Sequence, residues 1–311
     1  MSTRESSSTL LARIEDSVAR RGDLVLARHE LVYRAGRWPL VRVASRALGE
    51  AKGVVLVLAG LHGDEIAGPI TVAQELDGLA ERAHRHGLGL IVYPLANPSG
   101  FDAGTRYNAD HDRGSAGNGD FLRYLSDDGT LVDEVEPGPT PRRWRWSSEL
   151  GVALPVETRA LHECLRRDPL TRVLAALDLH QDLLSEGVGP AAYAYAYGDR
   201  SAYRSIVDAV GALVPLLAER AIGAGFGVEI DEEGRARQPS VITAVPISDA
   251  DAFIERHDGS LTDLMYRLGV QHSVAVETTG ATPLDVACAV NRAWLEGIVE
   301  LAAVRLRAPR A

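Results

Sequence analysis

The chain predicts an α/β fold: a mixed, mainly parallel, twisted sheet with helices on both faces. Two observations carry this. Short apolar runs recur at 53–58, 88–93, 173–179 and 272–276, as strands buried on both faces require. Between and after them lie segments with apolar residues at helical spacing, at 66–86, 155–167, 203–220, 261–268 and 283–306. In such a sheet the ligand crevice lies across the carboxyl ends of the strands.

The elements follow in order. Leu10, Leu11, Ile14 and Val18 have helical spacing and predict a short leading helix. Residues 23–32 and 38–44 read as two strands around a turn at Ala35-Gly36-Arg37, an antiparallel edge. Strand 53–58 then runs into Gly60-Leu61-His62-Gly63-Asp64-Glu65. The two glycines let the backbone turn tightly, so that His62 and Glu65 converge. Helix 66–86 tolerates Pro69 near its start and is capped by Gly87. Strand 88–93 leads to Asn97-Pro98-Ser99-Gly100-Phe101.

Residues 100–149 show little periodicity, and a loop of that length inside a domain is functional or disordered. It holds Arg106-Tyr107-Asn108, Asp110-His111-Asp112-Arg113, and two tryptophans, Trp144 and Trp146, that either line a pocket or pin the loop down. After helix 155–167, strand 173–179 ends in Asp178-Leu179-His180-Gln181-Asp182. His180 joins His62 and Glu65 as the third member of a zinc site with a position left open for water. Asp178 is a candidate partner for the imidazole N–H that faces away from the metal. Residues 191–197 alternate Ala and Tyr, placing Tyr193, Tyr195 and Tyr197 on one strand face. That face reads as aromatic packing, with room for one tyrosine near a mouth. Residues 223–245 read as an irregular or hairpin insertion. Strand 272–276 ends at Glu277-Thr278, where a general base would sit, and helix 283–306 closes the chain.

Composition bounds the function. Apolar residues make up 46% of 311, enough for one large unit with a full core. The net charge is −10 and the arginines are scattered, which argues against a nucleic-acid partner. No run approaches the ~20 apolar residues of a membrane span. Residues 1–9 are polar, with no apolar signal core, so cytoplasm is the expectation. Cys164 and Cys288 are too few for a disulfide framework and read as buried small side chains.

Taken together, His62-Gly63-Asp64-Glu65, Asn97-Pro98-Ser99-Gly100-Phe101, Arg106, Asp110-His111-Asp112-Arg113, Pro155-Val156-Glu157-Thr158-Arg159-Ala160-Leu161, Asp178-Leu179-His180 and Glu277-Thr278 resemble, in order, the zinc carboxypeptidase superfamily. That superfamily spans carboxypeptidase A-like enzymes, murein-peptide amidases and the succinylglutamate desuccinylase/aspartoacylase branch. The resemblance covers about residues 50–305. It implies one Zn2+ per chain on His62, Glu65 and His180, and Glu277 as the catalytic glutamate. It implies that Arg106 polarises the scissile carbonyl and that Arg113 grips a substrate carboxylate. Residues 1–50 are expected to belong to the same unit as the catalytic domain at 51–311.

One position departs from the family. Asn usually precedes the carboxylate-binding arginine, and here Asp112 does. An ionised Asp accepts hydrogen bonds and cannot donate them. Either Asp112 opposes a substrate carboxylate, directly or by occupying Arg113, or the swap is neutral and Asn108 or Asn118 supplies the donor. The segment from Arg106 to Arg113 is shorter than in carboxypeptidases, closer to the aspartoacylase spacing. Against that, the 34 residues after Glu277 read as one helix, where that branch carries a further β-domain. The expected activity is zinc-dependent hydrolysis of an amide bond in a peptide, by a metallocarboxypeptidase or peptide amidase. An N-acyl amino acid deacylase is the alternative within the superfamily. A metal- or peptide-binding module without catalysis is the alternative outside it.

Overall fold

The computed structural model describes residues 5–111, 116–132, 134–135, 143–182, 189–219, 229–230, 236–237 and 247–307. Helix α1 (Ser7–Arg20) starts at Ser6, whose hydroxyl accepts the Thr9 N–H, as an N-cap should. Strands β1 (Leu24–Tyr33) and β2 (Gly36–Ser45) pair antiparallel. Then come β3 (Val54–Ala59), α2 (Ala67–Arg85), β4 (Gly89–Tyr93) and α3 (Pro98–Ala103). Short strands β5 (Leu122–Leu125), β6 (Leu131–Val132) and β7 (Arg143–Trp146) precede α4 (Val156–Leu165) and β8 (Val173–Leu179). The chain continues through β9 (Ala192–Ala196), α5 (Arg204–Gly211), β10 (Glu229–Ile230), β11 (Ala236–Arg237) and β12 (Phe253–Ile254). It ends with α6 (Leu261–Arg267), β13 (His272–Thr278) and α7 (Leu284–Arg307).

Eight strands form one sheet in the order β1-β2-β4-β3-β8-β13-β9-β12. The centre is parallel: β4 with β3, β3 with β8, and β8 with β13. Strand β9 runs antiparallel to β13. Period-two alternation divides the central strands between two cores. On one face Val55, Val57, Ala59, Ala175, Leu177, Leu179, Val274 and Val276 pack under α1, α2, α5 and α7. On the other, Val54, Leu56, Leu58 and Ala176 pack against α4, α6 and the small strands. All six residues of β3 are buried, and each Val or Leu contributes ~1.5–3 kcal/mol by leaving water. The strand that leads to His62 is thus among the last parts of the fold to open.

Two expectations need correction. Residues 100–149 are not one irregular loop. They contain part of α3 and a three-stranded antiparallel sheet, β6-β5-β7. Its strands are too short to show a period in the sequence. Trp146 is buried there and Trp144 packs beside it, so the tryptophans pin this sheet rather than line the main cavity. The helix expected at 203–220 stops at Gly211. Pro215 follows four residues on and cannot continue a helix, and Leu216 instead bridges Ala192 of β9. Of the expected insertion at 223–245, the described part is the antiparallel pair of β10 and β11; the rest lies outside the described residues. Cys164 and Cys288 are both free thiols, the first half-buried and the second buried.

Candidate active site

Three strand ends deliver the site. At the end of β3, Gly60 takes φ +65° and turns the chain. A Cβ on Gly63 would lie 2.1 Å from the carbonyl carbon of Gly100, so only glycine lets this loop pass the N-terminal turn of α3. That turn is fixed by Asn97, whose side-chain oxygen accepts the Gly100 N–H, with Pro98 at the first helical position. The Asn97 amide and the Gly63 N–H both donate to the Arg106 carbonyl, at 3.2 Å each. The motif pieces at 60–65, 97–101 and 106 are thus one interlocked turn.

His62, Glu65 and His180 converge. Glu65 is buried; its Oε1 lies 2.7 Å from His62 Nδ1 and its Oε2 2.8 Å from His180 Nδ1. One donor atom from each of the three falls within 4.8 Å of the others. This is the one such set among the described residues. Two imidazole nitrogens and a carboxylate oxygen this close together are a donor set that suits a divalent metal. His180 Nε2 lies 3.1 Å from Asp178 Oδ2, the outward partner expected for a ligating imidazole. Arg106 Nη1 donates to Glu65 Oε1 at 2.9 Å, and the Gln181 N–H donates to Oε2 at 3.2 Å.

The electrostatics follow from these contacts. Burial alone would raise Glu65, but the imidazoles of His62 and His180 hold its pKa well below the usual carboxylate range. Burial pushes His62 down, with Glu65 only partly opposing it. Burial also works against a charged His180, yet Asp178 and Glu65 on either side raise it well above the usual imidazole value.

Glu277 lies near the end of β13, where its register partner on β9 is Tyr193 and that of Ala275 is Tyr195. Opposed residues share a face, so Glu277, Ala275 and Tyr195 look the same way as Asp178 and His180. One oxygen of Glu277 is buried without a hydrogen-bond partner. Burial raises its pKa well above the usual 4.5; His180 and Arg106 oppose this, whereas Glu65 and Asp182 add to it. The folded state therefore holds this proton more tightly than the unfolded chain does. The resulting stabilisation is complete below about pH 4.5 and is lost as pH rises towards the folded pKa. Each unit between the two pKa values is worth about 1.4 kcal/mol. In chelator-treated protein, Glu277→Gln should therefore raise the melting temperature at pH 7–8, with the gain vanishing near pH 4. A gain that persisted at pH 4 would assign it to something other than ionisation.

His62, Arg106, His180 and Glu277 line one cavity of about 270 Å³, together with Tyr107, Asn118 and Asp178. Other predicted residues lie elsewhere. Asn108 is fully buried, and its amide donates to Glu157 rather than facing the cavity. Asp112 and Arg113 lie outside the described residues. Of the tyrosine face, Tyr195 and Tyr197 line the cavity, while Tyr193 packs with Ala252 and Ile254. The far wall, Arg256, Asp258, Ser260 and Thr262, was not anticipated. Arg256 is held there by Glu134, through two hydrogen bonds of 3.0 Å. The one available signal was a charged run, Glu255-Arg256-His257-Asp258, directly after the apolar Ala252-Phe253-Ile254.

Comparison with known proteins gives the frame. A family model of the succinylglutamate desuccinylase/aspartoacylase catalytic domain matches residues 51–123. That stretch holds His62, Glu65 and Arg106 but neither His180 nor Glu277. No curated protein matches the chain by sequence. Solved structures match almost end to end. A candidate metallopeptidase of Shewanella baltica OS155 is 19% identical, with TM-score 0.61, covering 95% of this chain and 92% of its own. A metallo-carboxypeptidase of Burkholderia cenocepacia is 12% identical, with TM-score 0.57, over 97% of this chain and 70% of its own. Bovine thrombin-activatable fibrinolysis inhibitor, solved with a tick carboxypeptidase inhibitor, is 14% identical, with TM-score 0.57, over 97% and 98%. The fold is that of these metallo-carboxypeptidase structures. The cavity lies where an open α/β sheet places its crevice, at the carboxyl ends of β3, β8 and β13. No helix of the described residues is long and apolar enough to cross a membrane.

Proposed function

We propose that this chain is a zinc-dependent hydrolase of an amide bond in a peptide, a metallocarboxypeptidase or peptide amidase. One observation carries the reading: His62 and His180, the two imidazoles of the donor set completed by Glu65, line the same cavity as Glu277 and Arg106. One Zn2+ per chain would be held by those three residues. A zinc ion there would lower the pKa of its water towards ~7 and polarise a carbonyl. The chain supplies the rest. Glu277 takes a proton from the attacking water and returns it to the leaving amine. Arg106 donates to the oxyanion that develops on the carbonyl oxygen. Arg113, next to Asp112, is the proposed contact for a substrate carboxylate. The segments 1–50 and 51–311 are read as one unit, since β1 and β2 extend the catalytic sheet.

A second reading, an N-acyl amino acid deacylase, is favoured by the family match over residues 51–123. The zinc-loaded protein should be screened against peptides with free or amidated C-termini and, separately, against N-acyl amino acids. Turnover confined to the second pool would replace the peptide reading, and none in either would remove both.

Asp112 bears on specificity. If it opposes a substrate carboxylate or occupies Arg113, it costs about 1–4 kcal/mol, a Coulomb range between water and an effective dielectric of about 20. Asp112→Asn should then raise kcat/KM for a free-acid substrate relative to its matched amide by about five-fold or more. An unchanged ratio would mean that Asp112 does not act on the substrate terminus.

A further inference from the structure

The α4 motif residue Glu157 has no role in the chemistry above, yet it sits at the centre of a buried polar cluster. Its side chain is fully buried, in the first turn of α4. Oε2 accepts from the Tyr33 hydroxyl at 3.0 Å and from the Asn108 amide at 3.1 Å; Oε1 accepts from the Asn118 amide at 3.0 Å. Asn108 and Asn118 are themselves buried. They bracket one stretch of chain, and the residues just outside and inside it form cavity wall. Arg106 and Tyr107 precede Asn108, and Gly117 and Asn118 lead on to Gly119 and Asp120.

The two asparagines are tied further. The Asn118 amide also donates to the Leu61 carbonyl at 3.0 Å, directly before His62. Its carbonyl accepts from the Thr158 hydroxyl at 3.1 Å. Asn108 caps its own turn, accepting the Asp110 N–H at 3.1 Å through Oδ1 and the His111 N–H at 2.8 Å through its carbonyl. The donors in the three contacts to the Glu157 carboxylate are a hydroxyl and two amides. Burying a charge is costly unless it is well hydrogen-bonded. A carboxylate has acceptor sites for three donors at once, whereas a glutamine offers one acceptor oxygen and an N–H₂ that would oppose them.

We propose that Glu157 is a positioning residue for substrate binding. It ties Asn108 and Asn118 to α4 and thereby sets the cavity wall formed by Tyr107 and residues 117–120. It touches no reacting atom, so its effect falls on KM and leaves kcat nearly intact. This rests on the reading that the cavity is where substrate binds, and the primary readout below is independent of turnover.

The experiment is hydrogen–deuterium exchange on the zinc-loaded protein, followed in peptides spanning 106–120. Hydrogen bonds to a charged group are the strong ones, so Glu157→Gln should speed exchange there about ten- to hundredfold. Peptides of β3, β8 and β13 should keep wild-type rates. Tyr33→Phe removes a donor from the same carboxylate without touching the segment, and should leave 106–120 within about twofold of wild type. Asn108→Leu releases one end only and should reproduce the local loosening. On any substrate the wild type hydrolyses, Glu157→Gln should raise KM about tenfold, with kcat within about threefold. The proposal is overturned if exchange at 106–120 is unchanged in Glu157→Gln and Asn108→Leu, or if Tyr33→Phe loosens it equally. Loss of kcat at unchanged KM also overturns it. So does a Glu157→Gln protein that fails to fold, because a residue acting on one segment must leave the sheet intact. A wild type that hydrolyses nothing would count against the proposed activity, while the exchange comparison would still decide the role of Glu157.

Discussion

Replacing Glu277 with Gln is expected to lower kcat by ~10²–10⁴-fold while leaving the bound metal in place, the usual worth of positioned acid–base help. Gln keeps the shape of the side chain and cannot carry the proton. The nearby carboxylates are poor substitutes. Asp178 is engaged with His180, and Asp182 is buried and hydrogen-bonded to Tyr193. Glu65 is held ionised between two imidazoles and Arg106, so it is a weak base. The measurement is single-turnover kinetics together with metal content by plasma mass spectrometry. A variant that retains zinc and turns over at near wild-type rate would move the base to another residue. No turnover by wild type or variant on any substrate tried, with metal still bound to both, would instead favour a binding module that has kept the fold.

The parts that were legible in the sequence are those where one strand or one turn dictates position. The runs at 53–58 and 173–179 are apolar throughout because both faces are covered, and the polar residues that follow must leave the sheet at its carboxyl edge. Glu277 was visible for the same reason, although it lies within β13 rather than after it. Helix ends were less legible: Pro215 was the signal that α5 had to stop, and the apolar Val214, Leu216 and Leu217 masked it. The far wall of the cavity was invisible because Arg256 and Asp258 are placed by tertiary contacts. Arg256 is held by Glu134, and the Tyr197 hydroxyl donates to its carbonyl. No local spacing encodes a contact across more than a hundred residues. Asn108 failed as a candidate donor to substrate for a related reason. Tyr107, directly before it, faces the cavity, but its own amide donates to Glu157, 49 residues away.

Removing His180 should abolish stoichiometric metal binding and, with it, activity, in a protein that remains folded. The loss of metal affinity should grow as the removed group comes nearer the proposed metal position. Asp178 acts through His180 Nε2, and losing such an outer partner costs ~10–100-fold in metal affinity. His180 supplies one of only three donors, so His180→Ala should cost more than Asp178→Asn. The fold should survive, because His180 contributes to the sheet through its backbone: its N–H donates to the Val276 carbonyl at 2.9 Å, and alanine keeps that bond. Because Asp178 and Glu65 raise the His180 pKa, its protonated form stabilises the ion-free fold, and His180→Ala forgoes that contribution at pH values below the folded pKa while the sheet keeps the variant folded. The test is competition of wild type, Asp178→Asn and His180→Ala against a zinc chelator of known affinity, with circular dichroism to check folding. The expected order of affinity is wild type, then Asp178→Asn, then His180→Ala. Full zinc occupancy in His180→Ala would remove His180 from the donor set and leave His62 and Glu65, too few for a site with one open position.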